Sequence, residues 1–116
     1  MSHEFGLDLS CEDGAVIMYL RGEVDLACRG MLADTAYRLL ADNAFVMADL
    51  AAVTFLDSSG VSALVRAKRE ASRLGRDFRV RSATGPVADV LEVTGLGRWL
   101  CGPTSDPAPA SDPAPV

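Results

Sequence analysis

FVMADLAAVTFLDSSGVSALV, residues 45–65, decides how this chain is read. Its apolar run over residues 45–50 is nearly continuous, the pattern of a strand buried on both faces in a parallel or mixed sheet. The run breaks at Asp57-Ser58-Ser59-Gly60 and resumes with three- and four-residue spacing. That period predicts a helix with Val61, Leu64, Val65, the stem of Lys68 and Ala71 turned inward, stopping at Gly75. Two adjacent hydroxyls therefore open a helix, where the first turn has unpaired N–H groups and a partial positive charge. A serine there can cap the helix, bind an anion, or carry a phosphate that alters recognition of a partner. The local reading makes Ser58 the N-cap, lets Gly60 admit close backbone approach, and has Asp57 favour the helix dipole. One serine suffices for a cap, however, and the loop follows a buried strand, where α/β folds place their sites.

Working outward, residues 5–9 alternate as a short strand, Glu12-Asp13-Gly14 reads as a turn, and residues 15–20 read as a second strand completing a hairpin. Gly22-Glu23-Val24-Asp25 leaves that strand, and Leu32, Ala36, Leu39 and Leu40 follow at helical spacing with Asp25 as the expected cap. Gly30 weakens the start of that helix by about 1 kcal/mol relative to alanine, which predicts a late start. Residues 77–81 alternate as a further strand. Pro86 opens a short helix with Val87, Val90 and Leu91, closed by Gly95. Residues 96–100 fit either a last strand or a helix end. Strands alternating with helices over about 100 residues predict an α/β layer fold. From Gly102 the composition changes: residues 102–116 hold all but one of the six prolines and repeat S-D-P-A-P. This Pro/Ala/Asp-rich stretch cannot bury enough apolar surface to fold and is expected to be a disordered tail.

At 116 residues the chain fits one domain with a short appendage. Its net charge of −5 argues against general nucleic-acid binding, which needs a cationic surface. No apolar run reaches the roughly 18 residues of a membrane span, and MSHEFGLDLS lacks the basic start of a signal peptide. Cys11, Cys28 and Cys101 are odd in number and widely spaced, which reads as reduced cytosolic thiols rather than a disulfide frame or a zinc site. A serine hydrolase needs a base, but the one histidine is His3, in the N-terminal segment, and G-x-S-x-G is absent. With no metal-ligand cluster and no Walker loop either, the chain is not expected to be an enzyme or to carry a cofactor.

The segment V-T-F-L-D-S-S-G-V, the preceding strand ending in D-L, and G-E-V-D after an earlier strand resemble the STAS family, in particular its single-domain bacterial anti-sigma factor antagonists. The similarity covers about residues 5–100 with matching order of elements. The resemblance implies a STAS-like mixed β-sheet of four to five strands packed against helices, with the domain over residues 1–101 and the tail over 102–116. It makes Ser59, directly before the glycine, the phosphoacceptor, with Asp25, Asp57, Ser58 and Gly60 as its neighbours. Glu23, Val61, Ser62, Arg66 and Arg69 are expected at the partner surface. The implied partners are an anti-sigma factor with a histidine-kinase-like ATPase fold, acting as an ATP-dependent serine kinase, and a metal-dependent serine phosphatase. Direct nucleic-acid contact is not expected, and the protein is expected to be cytoplasmic. Freed of the phosphate, it would bind the anti-sigma factor and release a sigma factor; phosphorylated, it would let go.

The switch has a physical basis independent of the family. A phosphoserine adds about −1.5 to −2 charges. A helix N-terminus tolerates them internally, but a partner fitted to a neutral hydroxyl must desolvate them beside Asp57 and Asp25, at a cost of about a few kcal/mol. Arg66, Arg69, Arg73 and Arg76 recur along one helix face, followed by Arg79 and Arg81. They fit either a solvated outer face or electrostatic steering toward an acidic partner. Ser105 and Ser111 in the tail read as solubilising residues or minor phosphosites. Two rivals stay open: a STAS scaffold in a stress-signalling or lipid-transport assembly, and a sensor binding a nucleotide or other small molecule at the same helix N-terminus.

Overall fold

Residues 4–104 are described by the computed structural model of the chain. The elements run β1 (Gly6–Glu12), β2 (Ala15–Val24), α1 (Arg29–Asp42), β3 (Phe45–Leu56), α2 (Ser58–Leu74), β4 (Asp77–Arg81), α3 (Gly85–Val93) and α4 (Gly97–Cys101). The strands form one sheet in the order β1-β2-β3-β4. β1 and β2 are antiparallel, while β2–β3 and β3–β4 are parallel, so the sheet is mixed, as expected. The hairpin turns on Asp13 and Gly14, both at positive φ, which matches the right-handed twist of the flanking strands.

Alternation along the strands sorts their side chains between two faces. Met18, Leu20 and Val24 of β2, Val46, Ala48 and Leu50 of β3, and Phe78 and Val80 of β4 join the apolar stripes of all four helices in one core. On the opposite face Arg81 reaches across the sheet, donating from Nε to Asp49 Oδ2 at 2.8 Å and from Nη2 to the Tyr19 hydroxyl at 3.1 Å. The Tyr19 hydroxyl in turn donates to Glu12, so one network joins all four strands. Arg79 pairs with Asp77 at 2.7 Å and lies 5.0 Å from the centre of the Phe45 ring.

Several boundaries differ from the sequence reading. β2 does not end at Leu20 but continues through Gly22-Glu23-Val24, with register shifts against β3 between Tyr19 and Arg21 and between Gly22 and Glu23. Gly22 sits at φ 80°, a conformation that glycine adopts without strain and that lets the strand bulge and continue. β3 runs to Leu56, six residues past the end of its continuous apolar run. Gly30 lies within the first turn of α1 rather than delaying it. Cys28, not Asp25, holds the N-cap position there; the Asp25 carboxylate instead accepts from the Ala27 amide at 3.0 Å. Residues 96–100 resolve as a helix end, in α4.

Lys68 of α2 turns its whole side chain inward, not the stem alone. It is 0% exposed. Its ammonium donates to the carbonyls of Phe78 at 2.9 Å, Leu100 at 3.4 Å and Gly102 at 2.5 Å. Thr104 is buried as well: its hydroxyl donates to Asp77 Oδ1 at 2.8 Å and accepts from the Phe78 amide at the same distance. Packing therefore extends past the expected boundary at residue 101, because residues 102–104 satisfy polar groups along the outer edge of β4. The expectations for residues 105–116, with Ser105 and Ser111, and for His3 lie outside the described residues.

Candidate functional site

The parallel strands β2 and β3 end side by side, with Val24 paired to Leu56. The Asp57 amide donates to the Val24 carbonyl at 3.3 Å, tying the start of α2 to the end of β2. Asp57 is extended at φ −102°, ψ −175°, and its Oδ1 accepts from the Gly60 amide at 3.0 Å. Asp57 is thus the N-cap, which corrects the assignment of that role to Ser58. A carboxylate at this position satisfies a first-turn amide and also meets the positive end of the helix dipole. Ser58 and Ser59 become the first and second residues of the helix. Ser58 is exposed and Ser59 half-buried, and neither hydroxyl makes a hydrogen bond among the described residues.

Gly60 explains how the helix comes so close. A Cβ on it would lie 2.6 Å from Leu56 Cδ1, 2.7 Å from the Val24 carbonyl oxygen and 2.9 Å from Val24 Cγ1. No real Cβ fits there. The glycine lets the helix N-terminus rest on the strand ends, and this holds the serine backbone at a fixed place on the rim.

Asp25 enters the same end of the sheet from β2. The Cys28 thiol lies beneath it, accepting from the Asp25 amide at 3.3 Å and approaching the carbonyls of Asp25 at 3.5 Å and Glu23 at 3.8 Å. Burial raises the pKa of this thiol, and the carboxylates of Asp25 and Asp57 push it further in the same direction. Two carboxylates from different loops therefore act on one buried thiol. Glu23 and Asp25 line a depression of about 570 Å³ together with Glu4, Phe5, Ala27, Cys28 and Met31. Among the described residues Glu23, Asp25 and Asp57 make no ion pair.

The remaining expected surface residues divide. Val61 is 3% exposed and belongs to the core, so it is no part of a contact surface; its place in the inward stripe of α2 required this. Ser62 and Arg69 are half-buried and Arg66 is exposed, all further along α2. The arginines differ in what they touch. Arg66 lies over the Tyr37 ring at 6.0 Å, Arg73 is paired with Glu70, and Arg79 and Arg81 belong to the sheet network.

Sequence reasoning missed three residues at this end. Leu26, Met31 and Phe55 are 62%, 53% and 47% exposed. Leu26 adjoins Asp25 in the chain, Met31 lines the depression, and Phe55 is paired across the sheet with Glu23. Nothing in one dimension separates an exposed phenylalanine from a core one. Phe55 faces outward because the second register shift places it beside Glu23 and leaves Val53 and Leu56 to the core.

Among the described residues no group of three or more His, Cys, Asp or Glu side chains is placed to hold a metal ion, and no helix is long and apolar enough to cross a membrane. A separate hollow of about 480 Å³ between α3 and α4, lined by Ala83, Leu91, Gly97 and Cys101 among others, includes no residue of the rim around Ser59.

Residues 7–108 match the family model of the STAS domain. No curated protein sequence matches the chain. Among solved structures it is similar to an anti-sigma factor antagonist from Mycobacterium paratuberculosis, at 25% identity over 86% of this chain and 87% of that one, with a TM-score of 0.75. It is also similar to the anti-sigma factor antagonist SpoIIAA in its unphosphorylated form, at 22% identity over 83% and 84%, with a TM-score of 0.68. The Bacillus cell fate determinant SpoIIAA in its phosphorylated form aligns at 20% identity over 83% and 87%, with a TM-score of 0.64.

Proposed function

The chain belongs to the STAS domain family, and from that premise we propose that it is an anti-sigma factor antagonist switched by phosphorylation of Ser59. With the hydroxyl bare it binds an anti-sigma factor of the histidine-kinase-like ATPase type and so frees a sigma factor. With Ser59 phosphorylated it dissociates, and a metal-dependent serine phosphatase resets it. The chain is substrate and binding module, not an enzyme. ATP and its metal belong to the kinase, and the exchange takes place in the cytoplasm.

One observation carries this reading: Asp57 caps α2, so the Ser59 hydroxyl at the rim has no structural duty of its own. A phosphoryl group there lies beside first-turn amides that carry partial positive charge, which the isolated domain tolerates. It also adds about −1.5 to −2 charges beside the Asp57 carboxylate and near Asp25. Facing water this costs little. Enclosed by a partner, it costs both desolvation and like-charge repulsion. The same carboxylates weigh against the nucleotide-sensor alternative, since a bound nucleotide would bring its own negative charge toward Glu23, Asp25 and Asp57.

The test uses ATP, each purified ATP-dependent anti-sigma factor encoded in the same genome, and phosphopeptide mapping by mass spectrometry. Phosphate is expected on Ser59. Ser59→Ala should bind the kinase and never release it, whereas Ser59→Asp should bind at least about tenfold more weakly with an unchanged circular dichroism spectrum. Equal binding by the two variants would exclude a charge mechanism. Phosphate lost in Ser58→Ala and kept in Ser59→Ala would move the acceptor by one residue.

A further inference from the structure

The two edges of the sheet are finished differently. Along β4 the outer side is closed: the Thr104 hydroxyl accepts from the Phe78 amide and donates to Asp77, and Lys68 donates to the Phe78 carbonyl. β1 is the other edge, and among the described residues none of its backbone groups bonds anything beyond β2. It also lacks the usual protections of a bare edge. It holds no proline and no lysine, and it keeps register with β2 through all seven of its residues without a bulge. Its two acids turn toward the domain, Asp8 to Arg21 and Glu12 to Tyr19. Alternation puts Leu7, Leu9 and Cys11 on the core side of the sheet, where Leu9 stands opposite the fully buried Met18. The helices pack over β3 and β4, and the outer part of this face is left open: Leu9 is 52% exposed and Cys11 is exposed beside it.

We infer that β1 is a pairing edge for the β1 of a second copy of this chain, antiparallel and two-fold symmetric about Leu9. A two-fold axis perpendicular to the sheet keeps both apolar faces on one side and pairs only residues that share a face. Centred on Leu9, it sets Leu9 against Leu9, Leu7 against Cys11, Asp8 against Ser10 and Gly6 against Glu12. Every residue of the strand is then paired, no acid faces an acid, and each apolar side chain on the core side meets another. Moving the centre to Asp8 sets Asp8 against Asp8, and moving it to Ser10 sets Asp8 against Glu12. Like charges directly opposite oppose pairing, and both shifts leave strand ends without partners. The strand is thus complementary to itself in one register, which selects a second copy as the occupant. Strand direction reverses across the axis, so the two Ser59 rims lie at opposite ends of the pair and each stays open to its own partner.

Analytical ultracentrifugation of the full chain over rising concentration tests the pairing. A monomer–dimer equilibrium is expected, and added salt should strengthen it, because two copies of net charge −5 repel each other. Leu9→Lys puts two ammonium groups on the axis and should weaken dimerisation at least about tenfold, with the circular dichroism spectrum of the parent. Val93→Lys on α3, at a residue 86% exposed, should leave it within about twofold. Register is read by mild oxidation in a Cys11→Ser, Cys101→Ser background, which removes the exposed thiols. There Leu9→Cys should form a covalent dimer, since opposite residues lie about 4.5–5.5 Å apart at Cα. Asp8→Cys and Ser10→Cys should each fail to link alone and should link when mixed. A chain still monomeric at about 1 mM in high salt overturns the inference. So does a dimer that Leu9→Lys leaves intact, because its interface lies elsewhere. Should Leu9→Lys misfold, the cross-links decide: self-linking by Ser10→Cys and not by Leu9→Cys overturns the register and the proposal with it.

Discussion

Gly60 is where a single atom decides the geometry of the site. Replacing its hydrogen with a methyl group puts carbon 2.6 Å from Leu56 Cδ1 and 2.7 Å from the Val24 carbonyl oxygen. Leu56 can turn away, but the strand backbone cannot, so the N-terminus of α2 has to lift. Gly60→Ala is expected to cost about 2 kcal/mol in urea unfolding and to weaken partner binding as well, because Asp57 and Ser59 move with the helix. Asp57→Ala should cost about 1 kcal/mol through the lost cap. Ser58→Ala should stay within about 0.5 kcal/mol of the parent, since its hydroxyl bonds nothing among the described residues. An order of Gly60→Ala, then Asp57→Ala, then Ser58→Ala in loss of stability checks the assignment of the cap.

At the scale of elements, α2 does two separate things along its length. Its first turn presents Ser59, and its third turn anchors the C-terminal segment through Lys68. Three carbonyls, of Phe78 in β4, Leu100 in α4 and Gly102 beyond it, converge on one ammonium. The lysine ties helix, sheet edge and terminal segment at one point. Lys68→Ala strands these acceptors and leaves a cavity, and is expected to cost about 3 kcal/mol. Lys68→Met refills the volume and should recover part of that loss, which equilibrium denaturation will show. Ser59 lies nine residues from this anchor, outside the core, so phosphorylation kinetics of Lys68→Met should match the parent wherever the variant is folded.

For the whole molecule, charge sets the response to acid and underlies the proposed switch. The net charge is −5, and among the described residues Arg21, Arg73, Arg79 and Arg81 are held in ion pairs, so a phosphate at Ser59 adds to the self-repulsion of an already acidic chain. The C-terminal clasp depends on Asp77. Burial opposes ionisation of this carboxyl, but bonds from Arg79 and Thr104 outweigh it and hold the pKa below the ordinary value. A folded-state pKa below the unfolded one means that the carboxylate contributes stability above the unfolded value of about 3.9. That contribution is lost as pH falls through the folded value. Unfolding midpoints measured from pH 7 down to about pH 2.5 should therefore drop more for the parent than for Asp77→Asn, which starts lower and lacks this component. The reverse order would remove Asp77 from the acid response.

The chain's own periodicity determined the alternation of strands and helices and the position of a serine pair at a helix start, while the resemblance to the STAS family supplied the mixed sheet. The candidate site was legible through the resemblance, since D-S-S-G and G-E-V-D are contiguous motifs readable without coordinates. Local signals suffice for these because helix and strand periods, turn residues and caps act over a few positions. Only the tertiary structure decided that Asp57 rather than Ser58 closes the helix, because that depends on the backbone angles imposed where Val24 holds the Asp57 amide. It alone buried Val61, sank the Lys68 ammonium against carbonyls more than 30 residues away from it in sequence, and turned Phe55 outward through a register shift between β2 and β3. Each of these outcomes follows from which distant backbone groups meet, and a sequence pattern fixes only the faces that elements offer, not the partners that find them.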